Sequence, residues 1–213
     1  MKGVRTTKAF FNSLNDEFVW RRMEIVDARL DVKSISEIKN HRTRAGVTLT
    51  YAHWEGFVKA ATELLLNFIT HQGVLNRDLN EIFLLFSLRT QVGKIVTTNK
   101  LDASLDAVNF LVKSMDSPCR ISYKNSIDTG SNLSSAVFDN IAKSIGVDVK
   151  PYQYLYPYID ESFVNRRNTI AHGEPLSISR EEFYSMTEKV IELMSMYKTD
   201  IENIVTLKSY QRS

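Results

Sequence analysis

Apolar residues recur along most of the chain at the three- and four-residue spacing that lays one stripe on an α-helix. Phe18, Val19, Arg22, Met23, Val26 and Leu30 predict a first helix over 15–33, with Asp16 and Glu17 suited to its opening turn. A longer helix is predicted over 36–70. There Val47, Tyr51, Trp54, Val58, Ala61, Leu65 and Phe68 make a stripe broad enough for the centre of a bundle. Gly73 and Asn76 mark 71–77 as a loop, and 79–92 and 101–115 read as the third and fourth helices.

Between Ser117 and Ser135 the periodicity is lost. Pro118, Asn125, Asp128, Gly130, Ser131 and Asn132 surround a short apolar run, Ile121 to Tyr123, which predicts an exposed loop or small hairpin around 117–134. A short helix over 135–145 should end at Gly146 in a left-handed cap. Tyr152, Tyr154, Tyr156 and Tyr158 crowd a connection marked by Pro151 and Pro157. Such rings can stack on bases, but packing between helices is the preferred reading.

A further helix is predicted over 159–172, stopped by Gly173 and Pro175. Ser179 and Glu182 form a capping box for a last helix through Phe183, Met186, Val190, Leu193, Met194, Tyr197, Ile201 and Ile204. The expected fold is therefore all-α, a helical bundle over 1–213 read as one domain. No alternating βα pattern supports a Rossmann or P-loop framework.

Composition adds mainly exclusions. The 213 residues are 43% hydrophobic and 24% charged, enough apolar material for a sizeable core. A single Cys119 rules out a disulfide scaffold and a cysteine-built zinc module. Asn12, Asn15, Asp16 and Glu17 interrupt any early signal-like run, and the apolar stretch 64–76 is too short to cross a bilayer. A cytoplasmic protein without a membrane partner is expected. The net charge of +2 says little about nucleic acid, so local clusters matter more. Lys39, His41, Arg42 and Arg44 form one and Arg21 with Arg22 another, both read as solvated helix faces; Arg166 and Arg167 form a third.

That third cluster belongs to the run Asn165, Arg166, Arg167, Asn168, Thr169, Ile170, Ala171, His172, Gly173, where polar groups gather at the end of an apolar-striped helix. Asn168 and His172, four apart, share a helix face, while Arg167 lies about 140° from His172 and must reach round with its long side chain. Together the three can surround one phosphate. Histidine exchanges protons near neutral pH, arginine grips a phosphate bidentately, and Asn168 can orient His172 or donate to the phosphate. The alternative reading makes His172 a cap on the last carbonyls and an adjacent arginine a salt-bridge partner of Glu161 or Glu174.

Arginine, a polar residue, three more residues and histidine near a helix end resembles the signature of HEPN domains, carried here by Arg167, Asn168 and His172. Tyr51, Ala52, His53, Trp54, Glu55, Gly56 and Phe57, with Ser131, Asn132 and Leu133 ahead of the helix ending at Gly146, resemble one prokaryotic branch of HEPN-like nucleases. The resemblance covers roughly 16–193. It implies an endoribonuclease needing no metal or cofactor, with Arg167, Asn168 and His172 catalytic, and a homodimer whose two motifs share one site. It also implies a toxin or antiviral role, with an antitoxin or defence-system partner. The alternative is an inactive HEPN module that binds RNA or a protein.

Arg166 is a candidate RNA contact and Glu55 a candidate orienting residue, though His53, Trp54 and Glu55 read first as a packed cluster. His41 and His71 are assigned no role. Some similar toxins are silenced by modification of a tyrosine two residues beyond the motif histidine. Glu174 stands there, which argues against that regulation.

Overall fold

The computed structural model describes residues 3–33, 40–97, 100–124, 127, 129–130 and 132–212. Ser36, the expected start of the second helix, and Lys39, Asn125, Asp128 and Ser131 lie outside the described residues. The helices are α1 (Thr7–Lys33), α2 (Asn40–Thr70), α3 (Glu81–Thr97), α4 (Leu101–Ser114), α5 (Ser135–Ser144), α6 (Tyr156–Tyr158), α7 (Arg166–Ala171) and α8 (Arg180–Thr206). A π-helical segment, Ile159–Asn165, joins α6 to α7. The fold is all-α, a helical bundle, and no strand forms among the described residues.

Helix ends follow local hydrogen bonding. α1 begins well before the expected position, because Thr6 supplies the cap: its Oγ1 accepts from the Ala9 N–H at 3.2 Å and its carbonyl from the Phe10 N–H at 2.9 Å. Glu17, expected in the first turn, sits within the helix and pairs with Arg21 at 3.0 Å. α3 starts after Asn80, whose side-chain oxygen accepts from the Phe83 N–H at 3.1 Å, and it runs to Thr97, past the predicted 92. The capping box at α8 is present in both directions. Ser179 N–H donates to Glu182 at 2.8 Å and Glu182 N–H donates to Ser179 Oγ at 3.1 Å.

Tertiary contacts divide the chain into two compact units. One comprises Met1–Phe11, Glu63–Ile127 and Glu202–Ser213; the other comprises Asn12–Thr62 and Asp128–Ile201. In the first, Phe10 meets Phe68 at 5.1 Å between ring centres, and Tyr210 meets Phe68 and Phe83 edge-on. The segment after α4 is the irregular loop expected, with Ser117, Pro118, Arg120 and Ser122 exposed, but it is anchored at two positions. Cys119 and Ile121 are buried, Cys119 N–H donates to the Val74 carbonyl at 2.8 Å, and the Ile121 N–H donates to Thr70 Oγ1 at 3.0 Å. These partners satisfy the backbone at the two anchors without a strand.

The second unit is centred on the Phe138 ring of α5, which lies 5.1 Å from Trp54, 5.0 Å from Tyr152 and 5.6 Å from Tyr197. Polar tips inside this cluster are paired: Thr62 and Tyr197 hydroxyls meet at 2.6 Å, and the Tyr152 hydroxyl donates to Asp200, whose carboxyl burial holds above the usual range. Tyr156 donates to Asp139 at 2.8 Å and Tyr158 bonds Ser185 at 3.0 Å, so these tyrosines tie helices together as preferred above. Tyr154 stays 63% exposed and donates to Glu192.

α1 departs most from its predicted packing. Its buried face carries Leu14, Ile25 and Val32, whereas Val19, Met23, Val26 and Leu30, the residues of the expected core stripe, are exposed. Both sets have helical spacing, so periodicity alone cannot choose between them.

Candidate active site

The motif run is held by two departures from plain α-helix. Before it, the π-helical turn Ile159–Asn165 widens the helix and resets the direction in which the following side chains project. After it, Gly173 takes φ +76°, its N–H donates to the Ile170 carbonyl at 3.1 Å, and the Glu174 N–H donates to the Thr169 carbonyl at 3.0 Å. This is a Schellman closure with glycine in the left-handed position, as predicted from Gly173. Gly146 closes α5 in the same way, with φ +80°.

Arg167 is the most constrained side chain of the motif. Its Nη1 donates to Asn132 Oδ1 at 2.6 Å and to Asn168 Oδ1 at 2.9 Å, and its guanidinium carbon sits 4.8 Å from the centre of the Tyr51 ring. The two protons of Nη1 are thereby used. Nε and Nη2, which form the side-on fork of a guanidinium, have no hydrogen-bond partner among the described residues.

Tyr51 is fixed in turn. Its hydroxyl accepts from the Leu133 N–H at 2.6 Å and faces the Glu55 carboxylate, which accepts from Thr129 Oγ1 at 2.7 Å. Burial pushes the Tyr51 phenol up to about 12, Glu55 adds to that rise, and the Leu133 N–H and Arg167 oppose it. The phenol therefore stays protonated at neutral pH.

Arg167 and Asn168 thus belong to one cluster, which Glu55 borders through Tyr51. Asn132 and Tyr51 complete it. Both lie in segments that the sequence singled out, but their meeting with Arg167 depends on the packing of distant helices and has no local signal. His172 ends α7 exposed, with its backbone N–H on the Asn168 carbonyl at 2.9 Å and no hydrogen bond from its imidazole to any described residue. The ring does not serve as the cap of the helix. Arg166 is held at 2.7 Å by Glu182 of α8, rather than by Glu161 or Glu174, and stands outside the Arg167 group. Arg44, expected on a solvated face, donates to the Glu174 carbonyl at 2.9 Å just beyond the motif.

His53 and Trp54 form packing clusters, as preferred above. Trp54 is buried against Phe138. His53 Nε2 approaches Glu24 to 3.0 Å without hydrogen-bond alignment, and its ring stands T-shaped to Trp20 at 5.3 Å. Burial holds the His53 imidazole below its ordinary value, against an upward pull from Glu24. Below about pH 6.5 the unfolded chain therefore takes up a proton that the folded chain resists, so this group removes stability as pH falls toward its depressed folded value. His53→Gln is expected to flatten the acid-side decline of the urea midpoint between about pH 7 and 5 relative to wild type. Parallel profiles for the two proteins would show that His53 does not carry the effect.

Among the described residues no three His, Cys, Asp or Glu side chains gather as a metal-ligand set, and no helix is long and apolar enough to cross a membrane. The all-α bundle, with its Arg167–Asn168–His172 run closing a helix beside a buried Tyr51, defines a HEPN-type module. Within that superfamily the chain belongs to the RiboL-PSP-HEPN family, which it matches over residues 16–203. No curated protein and no solved structure matches it. Membership supports an RNA-related, nuclease-type module in general.

Proposed function

We propose that this protein is a metal-independent endoribonuclease that acts as a toxin or antiviral effector. The observation that carries the proposal is the Arg167 guanidinium, anchored through Nη1 and the Tyr51 ring with its Nε–Nη2 fork unused, on the same short helix as an exposed His172. A fork of that kind receives two oxygens of a phosphodiester and offsets the charge that grows on them during displacement. Asn168 spends its oxygen on Arg167, which leaves its amide N–H groups to donate toward the same phosphate.

In the reaction the RNA 2′-oxygen bonds to phosphorus and the P–O5′ bond breaks. One proton leaves the 2′-hydroxyl and one reaches the departing 5′-oxygen. His172 can perform either transfer. Two transfers about one phosphorus favour a homodimer in which His172 and the partner's His172 divide them, with the two motifs facing one cleft. An antitoxin or another defence component would restrain such an activity in the cell. Arg166 contributes positive charge beside this cleft only to the extent that RNA competes with Glu182 for it.

The test is incubation of purified protein with RNA in excess EDTA, followed by analysis of the new ends. Cleavage should persist and leave 2′,3′-cyclic phosphate and 5′-hydroxyl termini. Abolition by EDTA with rescue by Mg²⁺, or 5′-phosphate termini, would replace this mechanism with metal-assisted hydrolysis.

A further inference from the structure

Arg167 is held differently from the other arginines of its unit. Arg21, Arg29 and Arg166 each pair with a carboxylate, Glu17 at 3.0 Å, Glu188 at 3.0 Å and Glu182 at 2.7 Å. Arg167 makes no ion pair with a described residue, and its anchors are the carboxamide oxygens of Asn132 and Asn168 and the ring of Tyr51. A carboxylate at either place would grip the guanidinium harder but would also offset its charge. Neutral anchors fix the side chain and leave its charge for an anion.

The same anchors orient Asn132. A guanidinium carries donors and no acceptor, so the Asn132 oxygen must face Nη1 and its amide NH₂ must face away from it. That NH₂ has no hydrogen-bond partner among the described residues, and the side chain is only half-buried. The backbone behind it is pinned at three successive residues. Leu133 N–H donates to the Tyr51 hydroxyl at 2.6 Å, Ser134 N–H returns to the Asn132 carbonyl at 2.9 Å, and Ser135 N–H and Oγ both donate to Asp160, at 2.8 and 2.6 Å. Asn132 therefore presents an oriented donor from a braced loop, next to a cation that nothing neutralises.

We propose that Asn132 is a further substrate-contacting residue, whose amide N–H donates to a non-bridging oxygen of the phosphodiester seated on Arg167. This rests on the reading of Arg167 as the phosphate holder. A donor fixed before the reaction needs no reorganisation as negative charge grows on that oxygen, so its contribution falls on the transition state more than on binding. Asn132 reaches the site from the segment ahead of α5, far in sequence from the motif that it completes.

Two variants separate donation from mere support of Arg167. Asn132→Asp keeps an oxygen for Arg167 but replaces the NH₂ with an acceptor, so it should melt no lower than wild type and yet lose cleavage by about 10²-fold or more. Asn132→Ala should lose about 10²–10³-fold, chiefly in kcat. Substrates carrying a single Rp or Sp phosphorothioate at the bond cut by wild type add a stereochemical readout, because sulfur accepts hydrogen bonds poorly. One diastereomer should slow wild type more than the other, and Asn132→Ala should remove that difference; a purely supporting residue would leave it unchanged. A 2′-O-methyl oligoribonucleotide, which lacks the attacking hydroxyl, should shift the Asn132 side-chain amide resonances of ¹⁵N-labelled protein, assigned by their loss in Asn132→Ala. That shift in a protein that cleaves no RNA would support the Asn132 contact while removing the nuclease reading. Cleavage that requires His172 but proceeds at the wild-type rate in Asn132→Asp, an unchanged difference between diastereomers in Asn132→Ala, or amide resonances unmoved by excess oligonucleotide would each overturn the proposal.

Discussion

His172→Ala is expected to lower RNA cleavage by about 10²–10⁴-fold while leaving the protein folded, the loss that accompanies removal of a general acid or base. Stability should barely change, because the ring is exposed and bonds to no described residue. The capping hydrogen bonds at this helix end come from the backbone of His172, Gly173 and Glu174, which alanine preserves. Single-turnover cleavage of a labelled RNA, alongside thermal melts, separates the two effects. A folded His172→Ala protein that cleaves at the wild-type rate would remove His172 from the mechanism.

Phe138→Ala should carry the largest stability loss. Its ring is fully buried and touches Trp54, Tyr152 and Tyr197, so truncation forfeits both transfer energy and three ring contacts and leaves a cavity that rigid neighbours cannot fill. The expected cost is about 3–5 kcal/mol. For a chain of this size that lowers the melting temperature by roughly 6–20 °C. Phe110→Ala is the matched control, since Phe110 is 49% exposed, and its shift should stay within about 0.5 kcal/mol. Equal losses at the two positions would mean that the Phe138 cluster is not the core of its unit.

The motif was legible to different depths at its different residues. Arg167, Asn168 and His172 could be picked out because their spacing and position ahead of Gly173 are local properties of one helix end. That Arg167 turns toward Asn132 and Tyr51, and that Arg166 turns instead to Glu182, could not be read there. Adjacent arginines look equivalent in sequence, and only the surfaces packed on either side of α7, together with the π-helical turn before it, separate them. Glu55 was visible as a candidate, but its position beside the Tyr51 side chain that covers Arg167 was not.

By itself the sequence determined the features whose partners lie within one or two helical turns: the capping box of Ser179 and Glu182, the glycine closures at Gly146 and Gly173, and the helical period of the long segments. It also determined the start of α1, although Thr6, not Asp16 or Glu17, was the decisive cap. Tertiary structure decided what depends on competition between distant surfaces. It buried Cys119 and Ile121, on either side of an exposed Arg120, by pairing their backbone N–H groups with Val74 and Thr70, and it chose Leu14, Ile25 and Val32 over Val19, Met23, Val26 and Leu30 as the inner face of α1. A helix with two apolar stripes gains burial from either one, so the choice falls to whichever face its neighbours fit, and that information is spread over the whole fold.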